Sequence, residues 1–321
     1  MTTAVQGHRP YLLLALLCLA LYLPGMASLP PTDRDEARFA QASRQMLESG
    51  DFVRIRFQDQ ARNKKPAGTY WLQAASVAVF SNAASSDIWP YRLPSVLGAV
   101  LAVWLTFLAG TWLFDRHTAF LGAALMASAL GLVVEAHIAK ADALLLAAVV
   151  AAQAALARIY MAEREGHDGG AGPALAFWAA LGVGVLIKGP VAPLVAGLTL
   201  LTLKLSHRKL RLWRALRPLT GMPLALIIVA PWFIAVNLAT DGAFISDAVR
   251  GDLLPKLMGG QEAHGFWPGY YLLLLSVTFW PGALFAVPAL IWAWRRRREA
   301  PVLFCLAWLV PTWLVFELVP T

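Results

Sequence analysis

The sequence predicts an all-α integral membrane protein: a multi-pass bundle of about nine transmembrane helices with amphipathic interfacial helices in a first outer loop. Three observations lead there. Hydrophobic residues fill 59% of the 321 positions and charged residues only 14%, a balance suited to a bilayer rather than to water. Apolar runs of near-spanning length recur along the whole chain. Lys and Arg collect in a few short segments between those runs, as positive-inside topology requires.

The elements follow in order. The run 11–29 is too long for a signal-peptide core and lacks a clean A-x-A site after it, so it is expected as a retained first helix. A first outer loop, 32–92, comes next. Within it Phe39, Ala42, Met46 and Leu47 recur at helical spacing, Thr32 or Asp33 suits the N-cap, and Gly50 suits the stop. The run 71–80 is too short to span and is expected on the membrane surface. The remaining runs are 93–114, 119–134, 143–160, 174–187, 191–205, 219–238, 270–294 and 301–319, with a second outer loop at 239–268. A tight turn at Lys188-Gly189-Pro190 should join two of these helices. The whole of 1–321 is expected to form one transmembrane domain. Cys18 and Cys305 lie far apart in apolar runs, which gives neither a disulfide framework nor a CxxC metal site.

A cytoplasmic N-terminus puts Arg9, Arg116, Arg158 with Arg164, the run 204–217 and Arg295 to Arg298 inside. The inside segments then carry +9 and the outside −1, within the chain's net +8. The charged part of the first outer loop, 32–72, holds eight basic residues of its own, but long loops cross largely regardless of charge. The basic runs therefore serve as anchors to anionic lipid heads and not as a nucleic-acid surface. Rossmann and P-loop glycine patterns are absent from the sequence.

This topology collects the unusual polar residues on the outer side. Asp33, Asp35 and Glu36 fit capping and dipole compensation at a helix start. They equally fit a carboxylate held at the water–lipid boundary as a general base. Arg62, Lys64 and Lys65 form a cationic turn before Pro66, leading to Tyr70 and Trp71, at the depth of a lipid phosphate. Lysine binds phosphate as a point charge, although a solvated turn with snorkelling lysines has the same composition. Glu135, His137, Lys140 and Asp142 interrupt two apolar helices, where ionisable groups are costly and point to function. His137 by itself fits a hydrogen-bonded interface residue, and Asp142 fits an N-cap. Lys188 either snorkels beside its Gly-Pro turn or supplies a second cation for a phosphate. Glu262 and His264 end the second outer loop among aromatics, and His264 is the residue there able to shuttle a proton near neutral pH.

The blocks DEARFAQASRQMLESGDFV, KKPAGTYWLQAASVAVF, YRLPSVLGAV, AKADALL, LIKGPVAP and AHGFWPGYY, in that order, resemble the ArnT-like membrane glycosyltransferases, relatives of protein O-mannosyltransferases with the GT-C fold. The match of order and spacing covers nearly the whole chain. The resemblance implies transfer of a sugar from a polyprenyl-phosphate carrier to a lipid A-like, glycan or protein acceptor at the outer face of the bacterial inner membrane. The type member adds 4-amino-4-deoxy-L-arabinose to lipid A phosphates. It further implies that Asp35 is the essential first-loop aspartate and Asp142 the second. Arg38, Lys65 and Lys188 then match the family's arginine, F-E-K-P lysine and K-G-P lysine. Arg62, Glu36, Tyr70 and His264 complete the expected substrate-binding set.

Two departures matter. Phe39 stands where the family carries Tyr, and Lys64 where it carries Glu, which removes a carboxylate able to hold a metal. No cofactor is assigned, and the loss of that carboxylate argues against the divalent metal inferred for some relatives. The family continues past a block like FELVPT with a lysine- and proline-containing motif, further helices and often a soluble domain. The sequence ends at Thr321, so a fragment or a natural truncation is expected. The expected chemistry is inverting transfer without a covalent enzyme intermediate. The rival is a non-catalytic lipid-linked sugar transporter or scaffold, which predicts ionisable groups at mid-membrane and internal repeats.

Overall fold

The structure, a computed structural model, describes residues 7–31, 33–207, 209–253 and 269–318. The described residues are mostly helical. The helices are α1 (Arg9–Tyr22), α2 (Arg34–Ser49), α3 (Gly68–Phe80), α4 (Trp89–Leu113), α5 (Arg116–Ala127), α6 (Leu130–Ala136), α7 (Asp142–Arg164), α8 (Ala171–Lys188), α9 (Val191–Ser206), α10 (Leu212–Ala215), α11 (Pro218–Ala239) and α12 (Ala243–Ser246). A π-helical turn, Asp247–Leu253, follows, then α13 (Tyr270–Thr278), a 3-10 turn (Gly282–Phe285), α14 (Ala286–Arg295) and α15 (Ala300–Leu318). A two-residue antiparallel ladder in the first loop pairs Arg56 with Ala61 and Phe57 with Gln60, a hairpin without a sequence-level signal.

Five described helices are long and apolar enough to cross a membrane: α4, α7, α8, α11 and α15. Two bent pairs raise this to seven if each is one span, and α1 and α9 are shorter apolar helices. Three expectations need correction. The helix expected over 11–29 stops at Tyr22: Pro24 has no N–H to continue the ladder, and Gly25 takes a φ of +86°. The single helix expected over 119–134 is two, α5 and α6, bent by 59°. At that break Ser128 Oγ donates to the carbonyls of Ala124 and Leu125, and Leu130 N donates instead to Trp280 O. The run 270–294 bends by 117° around Pro281, which has no N–H to continue a helix.

α7 is the centre of the bundle: 72% of its apolar window is buried, against 17% for α11 and α15. Its buried face is largely alanine, including Ala143, Ala147, Ala148, Ala152 and Ala155. Small side chains let α4 and α8 approach closely, and in lipid that van der Waals packing, rather than hydrophobic expulsion, holds helices together. The outer helices leave Leu219, Ile227 and Leu238 more than two-thirds exposed, as lipid-facing surface requires. α3 is inverted in the same sense: Gln73 and Ser76 face inward while Leu72, Val79 and Phe80 face out. Ser43 Oγ donates to Gln73 Oε1 at 2.8 Å and Ser76 Oγ to Pro90 O at 2.6 Å, so polar bonds pin α3 between α2 and α4.

Candidate active site

α2 begins with Asp33 as N-cap, in extended backbone, accepting from Asp35 N at 2.6 Å. Gly50 ends the helix in the left-handed region at φ +69°, as its position suggested. Successive helix positions diverge by about 100°, and this separates the fates of Asp35 and Glu36. Asp35 is half-exposed and accepts from Arg38 Nη1 at 3.3 Å, one turn along. Glu36 is fully buried.

The Glu36 carboxylate, expected to bind substrate, is taken up by protein partners. Both its oxygens are taken by Arg92, at 2.7 Å from Nε and 3.1 Å from Nη2, and Oε1 also accepts from Ala139 N at 3.0 Å. Arg92, 1% exposed, further donates to the carbonyls of Met26 and Leu29, each at 2.8 Å. One buried ion pair thus fastens the end of the first helix segment, α2, α4 and the α6–α7 corner together. Sequence reasoning missed Arg92, although an arginine inside an otherwise apolar helix was the available signal.

Tyr70, also expected to bind substrate, lies beneath the surface at 0% exposure. It stacks on Phe39 with ring centroids 5.0 Å apart, and its hydroxyl accepts from Arg62 Nε at 3.0 Å. The Arg62 guanidinium lies 5.4 Å from the Phe39 ring centroid, within cation–π range. Phe39 and Tyr70 therefore form an aromatic floor that orients Arg62. Lys65 is half-buried in the turn before α3, and Lys64 is exposed.

The α6–α7 corner supplies the second half of the site. Lys140 pairs with Asp33, and Asp142, the first residue of α7, pairs with Lys188 at the end of α8. Partial burial alone would raise the Asp33 carboxyl, but the Lys140 ammonium and the Asp35 N–H outweigh it and hold it below the usual range. Lys140 is the mirror case: burial disfavours its charge, and the Asp33 carboxylate overcomes this and raises it. Glu135 lies within electrostatic reach of Asp142, Lys140, Lys188 and Asp33, and its buried Oε2 has no hydrogen-bond partner among the described residues. His137 bridges Val133 O at 2.7 Å and Pro24 O at 2.8 Å, the interface role its position suggested.

Gly68 joins the two halves. A Cβ there would sit 2.7 Å from Leu186 O, so only glycine lets the Lys64–Lys65 turn press against the end of α8 beside Lys188. Asn63 Nδ2 donates to Asp247 Oδ2 at 2.9 Å, which ties this turn to the second outer loop. His264 and Glu262 lie outside the described residues. Among the described residues no three His, Cys, Asp or Glu side chains gather as a metal ion would need.

This end of the bundle thus gathers half-exposed Asp35 beside Arg38, the Arg62–Tyr70–Phe39 cluster, and the Lys140–Asp33 and Lys188–Asp142 pairs. The comparisons agree with this architecture. A family model described as dolichyl-phosphate-mannose-protein mannosyltransferase matches residues 64–234. The undecaprenyl phosphate-alpha-4-amino-4-deoxy-L-arabinose arabinosyl transferase of Pseudomonas aeruginosa (strain LESB58) is 30% identical over 292 residues, covering 88% of this chain and 50% of the relative. The crystal structure of ArnT from Cupriavidus metallidurans bound to undecaprenyl phosphate superposes with a TM-score of 0.84 at 26% identity, over 98% of this chain and 56% of that one. The archaeal oligosaccharyltransferase AglB from Archaeoglobus fulgidus shares the fold alone, with a TM-score of 0.66 at 13% identity over 97% of this chain and 47% of that one. The chain spans about half the length of the curated relatives it matches. It is a multi-pass protein of the bacterial inner membrane, and it belongs to the dolichyl-phosphate-mannose-protein mannosyltransferase family, in its ArnT-like, GT-C branch.

Proposed function

We propose that this chain carries out glycosyl transfer from a polyprenyl-phosphate carrier to a lipid A-like, glycan or protein acceptor, with its N-terminus cytoplasmic and its site on the outer face. The observation that carries this reading is the convergence of three separate stretches, the first loop, the α6–α7 corner and the end of α8, on one mouth. There a half-exposed carboxylate stands beside Arg38, in a corner that also carries Arg62, Lys140 and Lys188. The similarity to proteins named for undecaprenyl-phosphate sugar transfer, one of them solved with undecaprenyl phosphate, supports the same donor class.

In the proposed step the acceptor oxygen bonds to the anomeric carbon and its proton passes to Asp35. The bond from that carbon to the carrier phosphate breaks, and the phosphate leaves with the electron pair. Arg62, held by Nε so that its terminal nitrogens are available, stabilises the leaving charge together with Lys65 and Lys188. Asp142 positions Lys188, and Arg38 positions Asp35. A folded bundle embedded in lipid and open at one mouth lets the carrier's tail remain in the bilayer while its phosphate is bound.

The test incubates the purified chain in nanodiscs with a polyprenyl-phosphate sugar and envelope lipids, and follows acceptor mass and released carrier by mass spectrometry. Transfer that Asp35→Asn abolishes supports the reading. Donor binding with neither product formed would instead favour a lipid-linked sugar transporter or scaffold. Cysteines placed at Ser49 and Ser246 should react with an impermeant reagent from outside intact cells, and labelling only from the cytoplasm would overturn the orientation.

A further inference from the structure

The opposite end of the bundle, about 33 Å from Asp142 along α7, carries a second built feature. Three corners meet there. Arg217 pairs with Asp168 at 2.6 Å, Arg211 N donates to Glu163 Oε2 at 3.3 Å, and Arg164 approaches His207 at 3.5 Å. The short helix α10 stands in the middle, with a cleft on each side. One cleft runs between α9 and α10 and is lined by Leu200, Leu201, Lys204 and Arg211. The other runs between the starts of α8 and α11 and is lined by Leu175, Arg217 and Leu219. Trp213 and Arg214 border both.

The chemistry of these clefts is split in a particular way. Their walls are aliphatic, and Trp213 and Leu219 are 58% and 92% exposed. Of the four cations, Arg217 is neutralised by Asp168, and Lys204 Nζ donates to Leu210 O at 3.1 Å. The guanidinium groups of Arg211 and Arg214 make no hydrogen bond or ion pair among the described residues. They stand three positions apart, hence on one side of the turn. Two uncommitted, exposed guanidiniums beside open aliphatic walls and an interfacial tryptophan match an ionised phosphate carrying acyl chains.

We propose that this corner is a binding site for an anionic phospholipid of the leaflet on this side: Arg211 and Arg214 hold the headgroup phosphate, and the clefts beside Trp213 take the proximal acyl chains. Charge complementarity selects this occupant. A zwitterionic lipid brings a cation of its own toward the arginines, and a second protein copy would need acidic residues to match them. The site is remote from the mouth and does not depend on the glycosyl-transfer reading.

The test is native mass spectrometry of the full chain released from mild detergent, delipidated and titrated with phosphatidylglycerol or phosphatidylcholine of matched chains. The expected preference for phosphatidylglycerol is about 30-fold, from two surface arginines acting on one net charge. Arg211→Gln with Arg214→Gln should bring phosphatidylglycerol down to the phosphatidylcholine level, and Trp213→Ala should weaken both lipids alike. Arg214→Gln alone, with Arg214→Lys beside it, covers the case in which the double variant fails to fold: the lysine variant should keep part of the preference and the glutamine variant less. Equal retention of the two lipids by the unmodified chain would overturn the proposal. So would a preference unchanged in Arg214→Gln, or charge-insensitive dimerisation through this face.

Discussion

Replacing Arg92 with methionine tests the node on which the candidate site rests. The substitution keeps most of the aliphatic volume and removes the guanidinium. Glu36, at 0% exposure, then retains one donor, Ala139 N at 3.0 Å, for two carboxylate oxygens. The carbonyls of Met26 and Leu29 lose their 2.8 Å donors as well. Stranding one partner of a buried ion pair costs about 3–5 kcal/mol. Arg92→Met paired with Glu36→Met leaves no buried charge behind and only the carbonyls to satisfy, at about 1 kcal/mol each. The double variant should therefore be more stable than Arg92→Met alone, with a coupling energy of at least about 2 kcal/mol. The four corners of this cycle can be read from unfolding in mixed micelles, followed by circular dichroism and tryptophan fluorescence. Additivity within about 0.5 kcal/mol, or a cost below about 1 kcal/mol for Arg92→Met, would refute the clamp. Because Glu36 adjoins Asp35 and Ala139 adjoins Lys140, sugar transfer should fall in Arg92→Met even at temperatures where the protein stays folded.

Asp35→Asn should leave stability near normal, since Asp35 is half-exposed and its ion pair is a surface one, yet cost at least about 10²-fold in transfer rate; full activity in the folded variant would leave Asp35 a plain first-turn acid. Lys65→Ala should weaken polyprenyl-phosphate donor binding and Lys65→Arg partly restore it, while Lys64→Glu should be milder because Lys64 is exposed; donor titrations in nanodiscs in which Lys64→Glu alone abolished binding would exchange the two roles. Gly68→Ala places a Cβ 2.7 Å from Leu186 O, against backbone that has little room to yield, and should lower both melting temperature and donor affinity; an unchanged melt would mean that α3 and α8 do not press together there. Asp33→Asn probes the Asp33–Lys140 pair through its pH dependence. The depressed Asp33 value makes its contribution present above about pH 4 and lost as pH falls below the folded value. The raised Lys140 value makes its share present below about pH 10 and lost above the folded value. The stability difference between Asp33→Asn and the parent should thus stay flat from about pH 5 to 9, and a slope in that window would assign the effect to another group.

The sequence by itself determined the membrane class, the order of the apolar runs, the start and stop of α2 and the stretches that carry the polar chemistry. Those properties are local. Apolar length, helical periodicity, an N-cap aspartate and a glycine stop act over one or two turns and are written in neighbouring residues. Tertiary structure decided how the charges are shared. Asp35 and Glu36 are adjacent and chemically alike, yet one faces the mouth and the other is sealed against Arg92, 56 positions away. Nothing local marks Lys140 as the partner of Asp33, 107 positions distant, or Asp142 as the partner of Lys188. Tyr70 had the composition of an interfacial aromatic and proved to be a floor beneath Arg62. The bend of α5–α6 was invisible for the same reason: hydropathy measures whether a segment prefers lipid, not whether its backbone bonds are diverted to a neighbour such as Trp280 O. The bend in the run 270–294 did have a local signal, Pro281, which hydropathy alone passes over. Burial and ion pairing depend on which helices meet, and in lipid that is settled by small-residue packing along α7, whose partners no single stretch of sequence specifies.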